Sequence, residues 1–213
     1  MNYSAVLFDF DYTLADSSRG IVICFRNVLE RNGYSDITDD KIKRTIGKPL
    51  EDSFSILTGV TDTSPLVSLR KEYVVEADVY MNSNTFLFPD TLKVIETLRQ
   101  KQIKIGVVST KYSYRIKNYL SEYAPETQFD IIIGGEDVAC HKPDPQGVLM
   151  AMERLNVNKD DVLYVGDSVV DAETAQNAGV DFAGITSGAT TKQELASYPN
   201  VGVFERLGEI LEI

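Results

Sequence analysis

Basic residues are in short supply. The 213-residue chain has 21 Lys and Arg against 32 Asp and Glu, a formal net charge of −11 and a pI of about 4.6. Nucleic acid and anionic membrane surfaces are therefore excluded as expected partners, because binding either needs a basic footprint. Cysteine is scarce too. Cys24 and Cys140 lie far apart and form no metal-ligand pattern, and both are expected to stay reduced in a cytoplasmic protein. No apolar run approaches ~18 residues, so no membrane-spanning helix is expected. Internal repeats, low-complexity tracts, long linkers and a signal-peptide pattern are all missing. What is left is an ordinary globular composition, 43% hydrophobic and 25% charged, long enough to bury a substantial core in one or two domains. Any anionic ligand would need a local cation to overcome the overall field: a Lys or Arg, a metal ion or a helix N-terminus.

The stretch that organises the chain comes first. Ala5-Val6-Leu7-Phe8 is a short apolar run, as expected of a strand buried on both faces of a parallel sheet. Asp9-Phe10-Asp11-Tyr12-Thr13-Leu14 follows directly. In open α/β sheets ligands bind just outside the carboxyl ends of the strands, which is where Asp9 and Asp11 stand. A strand period would put both carboxylates on one face; a chain leaving the strand would splay them.

Residues 16–84 read as helical throughout. Ile21, Val22, Phe25, Val28 and Leu29 keep helical spacing after Asp16-Ser17-Ser18, and shorter helices follow Thr38, Pro49 and Pro65. A helical block of this length is no βα crossover and reads as an inserted cap. From Leu87 the pattern alternates, with strands expected at 103–108, 129–133, 162–165 and 180–185 and helices between them. A doubly wound parallel α/β sheet is the expected architecture, with domains at 1–15 plus 85–213 (core) and 16–84 (cap).

Four strand ends carry polar groups: Asp9 and Asp11, Ser109 and Thr110, the loop holding Lys142, and Asp167 with Asp171. Carboxylate oxygens suit Mg²⁺, a hard cation that also takes phosphate oxygens. Lys142 offers a point charge for phosphate, and a hydroxyl followed by helix-opening N–H groups makes a phosphate cradle.

These residues resemble the four motifs of the haloacid dehalogenase superfamily of phosphatases, in its branch with a helical cap, phosphoglycolate phosphatase and its close relatives above all. The motifs are Asp9-Phe10-Asp11-Tyr12-Thr13-Leu14, then Ser109, then Lys142-Pro143, then Gly166-Asp167-Ser168-Val169-Val170-Asp171. The resemblance implies a Rossmann-like core and hydrolysis of a small phosphate ester. Asp9 would be the nucleophile and Asp11 the general acid/base. Mg²⁺ would be held by the Asp9 side chain, the Asp11 carbonyl and Asp167, with Asp171 acting from behind that set. Ser109, Thr110 and Lys142 would bind the phosphoryl group. Lys48, between two cap helices, is a possible substrate contact, and Arg19 and Arg44 are weaker ones. Phe25 and Phe54 read as cap core. Lys111 adds positive field or is a solvated helix-start lysine, and His141 reads as an exposed loop residue. Two positions depart from the common pattern: Thr110 stands where many relatives have Asn, and Tyr12 where many have Gly. The expected assembly is a monomer or homodimer. A β-phosphoglucomutase-like phosphotransferase and a catalytically silent binding module on the same scaffold are the alternatives.

Overall fold

The first apolar run forms strand β1 (Ala5–Phe8), and every one of its residues is buried. The computed structural model describes residues 2–213. Five more strands join β1: β2 (Lys104–Val108), β3 (Ile131–Ile133), β4 (Val162–Gly166), β5 (Asp181–Ile185) and β6 (Gly202–Phe204). Their order is β3-β2-β1-β4-β5-β6, and all neighbours run parallel. Ala5 is paired with Lys104 on one side and Val162 on the other. The chain therefore winds outward in both directions from β1. A crevice is expected where the winding reverses, at the carboxyl tips of β2, β1 and β4.

The chain divides into two units. One combines the residues up to Ala15 with Leu87–Ile213, and the other is Asp16–Phe86. The second unit is built from α1 (Ser18–Arg31), α2 (Asp39–Lys43), α3 (Leu50–Thr58) and α4 (Thr63–Tyr80). Ile21, Phe25, Leu29, Ile42, Phe54, Leu69 and Tyr73 form its core, with the Phe25 ring 4.7 Å from Phe54 and 4.8 Å from Tyr73, centroid to centroid. Both phenylalanines are thus core residues of that unit, as their helical spacing predicts. Helix α4 starts at Thr63, two residues before Pro65, so the proline stands in the first turn, where its missing N–H costs nothing.

In the sheet unit, α5 (Thr91–Gln100), α6 (Ser113–Tyr123), α7 (Gln146–Leu155), α8 (Val169–Ala178) and α9 (Lys192–Ala196) cover the sheet. Side chains alternate along β1. Val6 and Phe8 join a core layer with Val94, Leu98, Ile116 and Tyr119 of α5 and α6. Ala5 and Leu7 join another with Val148, Ala151, Ala172 and Ala175 of α7 and α8. Burial on both faces is what the uninterrupted apolar run requires. Edge strand β3 is shorter than the 129–133 run. Asp130 takes over at its start, its carboxylate accepting the Ile105 N–H at 2.7 Å while its own N–H donates to the Ile105 carbonyl at 2.8 Å.

Candidate active site

Asp9 lies one residue past β1. Its N–H donates to the Val165 carbonyl at 2.9 Å, and the residue is 1% exposed. Lys142 arrives from the loop between β3 and α7. Its ammonium lies 3.1 Å from Asp9 Oδ1 and 2.6 Å from Asp171 Oδ1. It also donates to the Tyr164 hydroxyl at 3.1 Å, and that hydroxyl donates to the Val108 carbonyl at 2.9 Å. The ammonium thus has two hydrogen-bond acceptors, Asp171 and Tyr164, and an ion-pair contact with Asp9.

Asp171 is engaged on both sides. Oδ1 faces Lys142, while Oδ2 accepts from the Ser168 N–H at 3.0 Å and the Ser168 hydroxyl at 2.6 Å. Ser168 returns the favour as N-cap of α8, accepting from the Asp171 N–H. Asp171 is therefore an ordinary helix-start acid on one oxygen and an anchor for Lys142 on the other. Gly166 makes this possible: a Cβ there would lie 2.4 Å from Asp171 Cγ.

Asp167 sits at the tip of β4, 4% exposed, with Oδ1 accepting from Thr13 Oγ1 at 3.3 Å. Carboxylate oxygens of Asp9, Asp167 and Asp171 lie within 4.8 Å of one another. Burial pushes the Asp9 carboxyl up to about 6; Asp171 and Asp11 add repulsion, and Lys142 and Ser109 oppose it. Burial likewise lifts Asp167 well above the carboxylate range, with Asp171 and Asp9 adding to it. Burial alone would pull the Lys142 ammonium down, but Asp171 and Asp9 outweigh it and hold the group well above its ordinary value.

Does this set fit a cation? Asp9 Oδ1 is fully buried and accepts no aligned hydrogen bond, because Lys142 approaches it only as an ion-pair contact. Buried carboxylates with unused lone pairs are costly unless something positive meets them. The donors are all oxygen, and Asp171 is committed elsewhere, so the free ligand capacity lies on Asp9 and Asp167. The residues fit a hard divalent ion.

Asp9 and Asp11 face different lysines. The Asp11 carboxylate turns to Lys111, whose Nζ is 2.8 Å from Asp11 Oδ1. Ser109 and Thr110 follow β2 directly, and the Ser109 hydroxyl accepts the Lys111 N–H at 3.3 Å. Thr110 is clasped by Gly135, where a Cβ would lie 2.5 Å from the Thr110 carbonyl oxygen. His141 is exposed beside Lys142. Lys48 belongs to the helical unit, in the turn between α2 and α3. Two residues of the cluster were undervalued by sequence. Tyr164 is hidden inside an apolar strand, where the only clue is that a buried hydroxyl needs a partner. Lys111 reads equally well as solvated, yet its side chain is 7% exposed.

The family model for haloacid dehalogenase-like hydrolases matches residues 6–185. The chain belongs to that family. A crystal structure from Bacteroides fragilis, provisionally described as a haloacid dehalogenase-like hydrolase, is 60% identical, superposes with a TM-score of 0.96 and covers 98% of this chain and 99% of its own. The pyrophosphatase PpaX of Oceanobacillus iheyensis is 27% identical over 213 residues, covering 100% of this chain and 97% of its own length. The phosphoglycolate phosphatase of Rhodobacter capsulatus is 28% identical over 204 residues, covering 94% and 91%. As a member of this family the chain is a hydrolase with phosphatase activity. The buried aspartates are consistent with the family's metal site.

Proposed function

We propose that the chain is a Mg²⁺-dependent phosphatase acting on a small phosphate ester or anhydride through an aspartyl-phosphate. The observation that carries this reading is the buried Asp9 carboxylate, flanked by Lys142 and Asp167, with an Oδ1 that accepts no hydrogen bond. Asp9 attacks phosphorus, the bond to the leaving oxygen breaks, and its electron pair stays on that oxygen. Asp11 protonates the leaving oxygen and later takes a proton from the attacking water, which splits one displacement into two easier ones. Ser109, the Thr110 backbone and Lys142 hold the phosphoryl oxygens. Phosphoryl transfer asks mostly for positioning and charge neutralisation. Asp9, Asp167 and the Asp11 carbonyl are the proposed ligands of Mg²⁺, which when bound neutralises the clustered carboxylates and polarises the phosphoryl group. Asp171 fixes Lys142 from behind. Lys48 is the proposed substrate contact from the helical unit.

The two named relatives frame the substrate: pyrophosphate for one, phosphoglycolate for the other. Both are small dianions or higher, and both need the local positive charge that this acidic chain concentrates at the sheet tips. Phosphate release from a panel of phosphomonoesters and pyrophosphate, with and without Mg²⁺, tests the reading. Asp9→Asn should abolish turnover of every substrate while circular dichroism stays unchanged. Wild-type rates in that variant would remove Asp9 from the nucleophile's role.

A further inference from the structure

Two lysines enter the crevice, and their surroundings differ. Lys142 donates hydrogen bonds to Asp171 and Tyr164 and adds an ion-pair contact with Asp9. Lys111 has one acceptor, Asp11 Oδ1 at 2.8 Å. Its ammonium lies 5.6 Å from the Phe10 ring centre, and the two paired side chains are only 7% and 11% exposed. An ammonium carries three donors, so Lys111 holds unused hydrogen-bonding capacity in a nearly closed place. A buried ion pair is poor evidence of stabilisation, because desolvating two charges consumes most of the Coulombic gain. The position of the pair therefore points to a ligand.

That position is specific. Asp11 is the group assigned above to the leaving oxygen, and a general acid must lie within hydrogen-bond reach of it. Lys111 is within hydrogen-bond reach of Asp11. Its ammonium is thus two hydrogen bonds from the bridging oxygen, on the leaving-group side of the site, away from the phosphoryl group that Lys142 attends.

We infer that Lys111 is the specificity-determining cation for a leaving group that carries its own negative charge, a carboxylate or a second phosphate close to the bridging oxygen. The inference rests on the phosphatase reading and narrows its substrate class. Neutral leaving groups of the same size leave the spare Lys111 donors without a partner. A charged one engages them while the Asp11 contact is kept or exchanged.

The test compares four substrates at saturating Mg²⁺: 2-phosphoglycolate and pyrophosphate, which are charged beyond the scissile bond; 2-hydroxyethyl phosphate, a neutral match for phosphoglycolate; and p-nitrophenyl phosphate, whose leaving group needs no proton. In Lys111→Met, kcat/KM should fall roughly ten- to hundredfold for a charged leaving group, the worth of a charge-assisted hydrogen bond, chiefly through KM. The loss for 2-hydroxyethyl phosphate, which reports only the broken Asp11 contact, should be markedly smaller. Lys111→Arg should recover most of the loss. Whichever of phosphoglycolate and pyrophosphate loses more identifies the source of the charge. Should Lys111→Met fail to fold, Lys111→Gln keeps a donor toward Asp11 without the charge and carries the same expectation. Equal losses for phosphoglycolate and 2-hydroxyethyl phosphate with p-nitrophenyl phosphate spared would reduce Lys111 to a positioner of Asp11 and overturn the inference. Equal losses on all four substrates would make it a structural residue and overturn it as well. A wild-type enzyme inactive on all four substrates would instead sink the phosphatase reading itself.

Discussion

A single hydroxyl shows how tightly the centre of this site is wired. Tyr164 sits fully buried in β4, where it links Lys142 to the Val108 carbonyl at the end of β2. Replacing it by Phe keeps the ring and deletes the contacts to Lys142, the Val108 carbonyl and Asp171 Oδ1. The Val108 carbonyl then stays buried without its donor, and Lys142 keeps its hydrogen bond to Asp171 and its ion-pair contact with Asp9. An orphaned buried group costs about 1–3 kcal/mol, so Tyr164→Phe should lower the denaturant midpoint by that equivalent. Turnover should drop much less than in Asp9→Asn, because the two carboxylates still hold the ammonium in place. Unchanged stability would mean that the hydroxyl contacts contribute nothing, and a complete loss of activity would mean that Tyr164 takes part directly.

At the scale of elements, the loop after β5 sets the position of Asp167. A Cβ on Gly188 would lie 1.9 Å from Asp167 Oδ2, a distance no real contact adopts. The need is for space alone, since Gly188 is not among the residues with positive φ. In Gly188→Ala the loop or the carboxylate must move. Displacing the partner of a ligand typically weakens metal binding about 10- to 100-fold, so the Mg²⁺ dependence of the melting temperature should shift to higher concentration by that factor. The metal-free melting temperature should change little, because the loop lies outside the core layers. An unaltered Mg²⁺ titration would show that Asp167 is not constrained from this side. The same loop marks the border of what the sequence discloses. Apolar runs of four to six residues place the buried strands, and the polar groups at their ends place the crevice, because a parallel sheet leaves ligands nowhere else to bind. Asp9, Lys142, Asp167 and Asp171 are legible for that reason. Gly188, Tyr164 and the Lys111–Asp11 pair are not, since each depends on which loops and strands approach across the sheet, and periodicity is silent on that. Tyr12 is a partial case. It holds φ 62, in the left-handed region, with its N–H donating to the Ala15 carbonyl at 2.7 Å and its own carbonyl accepting from Ser187. A glycine would adopt that geometry without strain; Tyr12 holds it with those two hydrogen bonds in place.

For the molecule as a whole, the buried carboxylates couple folding, protons and cation. Asp9 has a pKa of 3.8 when unperturbed and about 6 in the fold, and burial raises Asp167 in the same direction. The folded chain therefore binds more protons than the unfolded chain between those values, and stability from these groups must fall as pH rises through that window. The Asp9 contribution is fully present below 3.8 and lost above about 6, and that of Asp167 runs in the same direction. A divalent cation binds the ionised form and acts in the opposite sense, stabilising the fold by mass action in proportion to its occupancy. Two curves follow. The melting temperature of the metal-free wild type, measured relative to Asp9→Asn, should decline from pH 4 to 6.5 on the order expected for a carboxyl lifted this far. The upward shift produced by Mg²⁺ should be small at the acid end of that range and grow across it, because protons and the cation compete for the same oxygens. Ionic strength separates this from the general repulsion of a −11 chain: salt screens exposed charges over about 10 Å at 0.1 M and reaches buried ones far less. Adding KCl should therefore leave the slope in place. A Mg²⁺ shift independent of pH would place the cation on carboxylates that are already ionised at the surface, and the buried cluster would lose its claim to it.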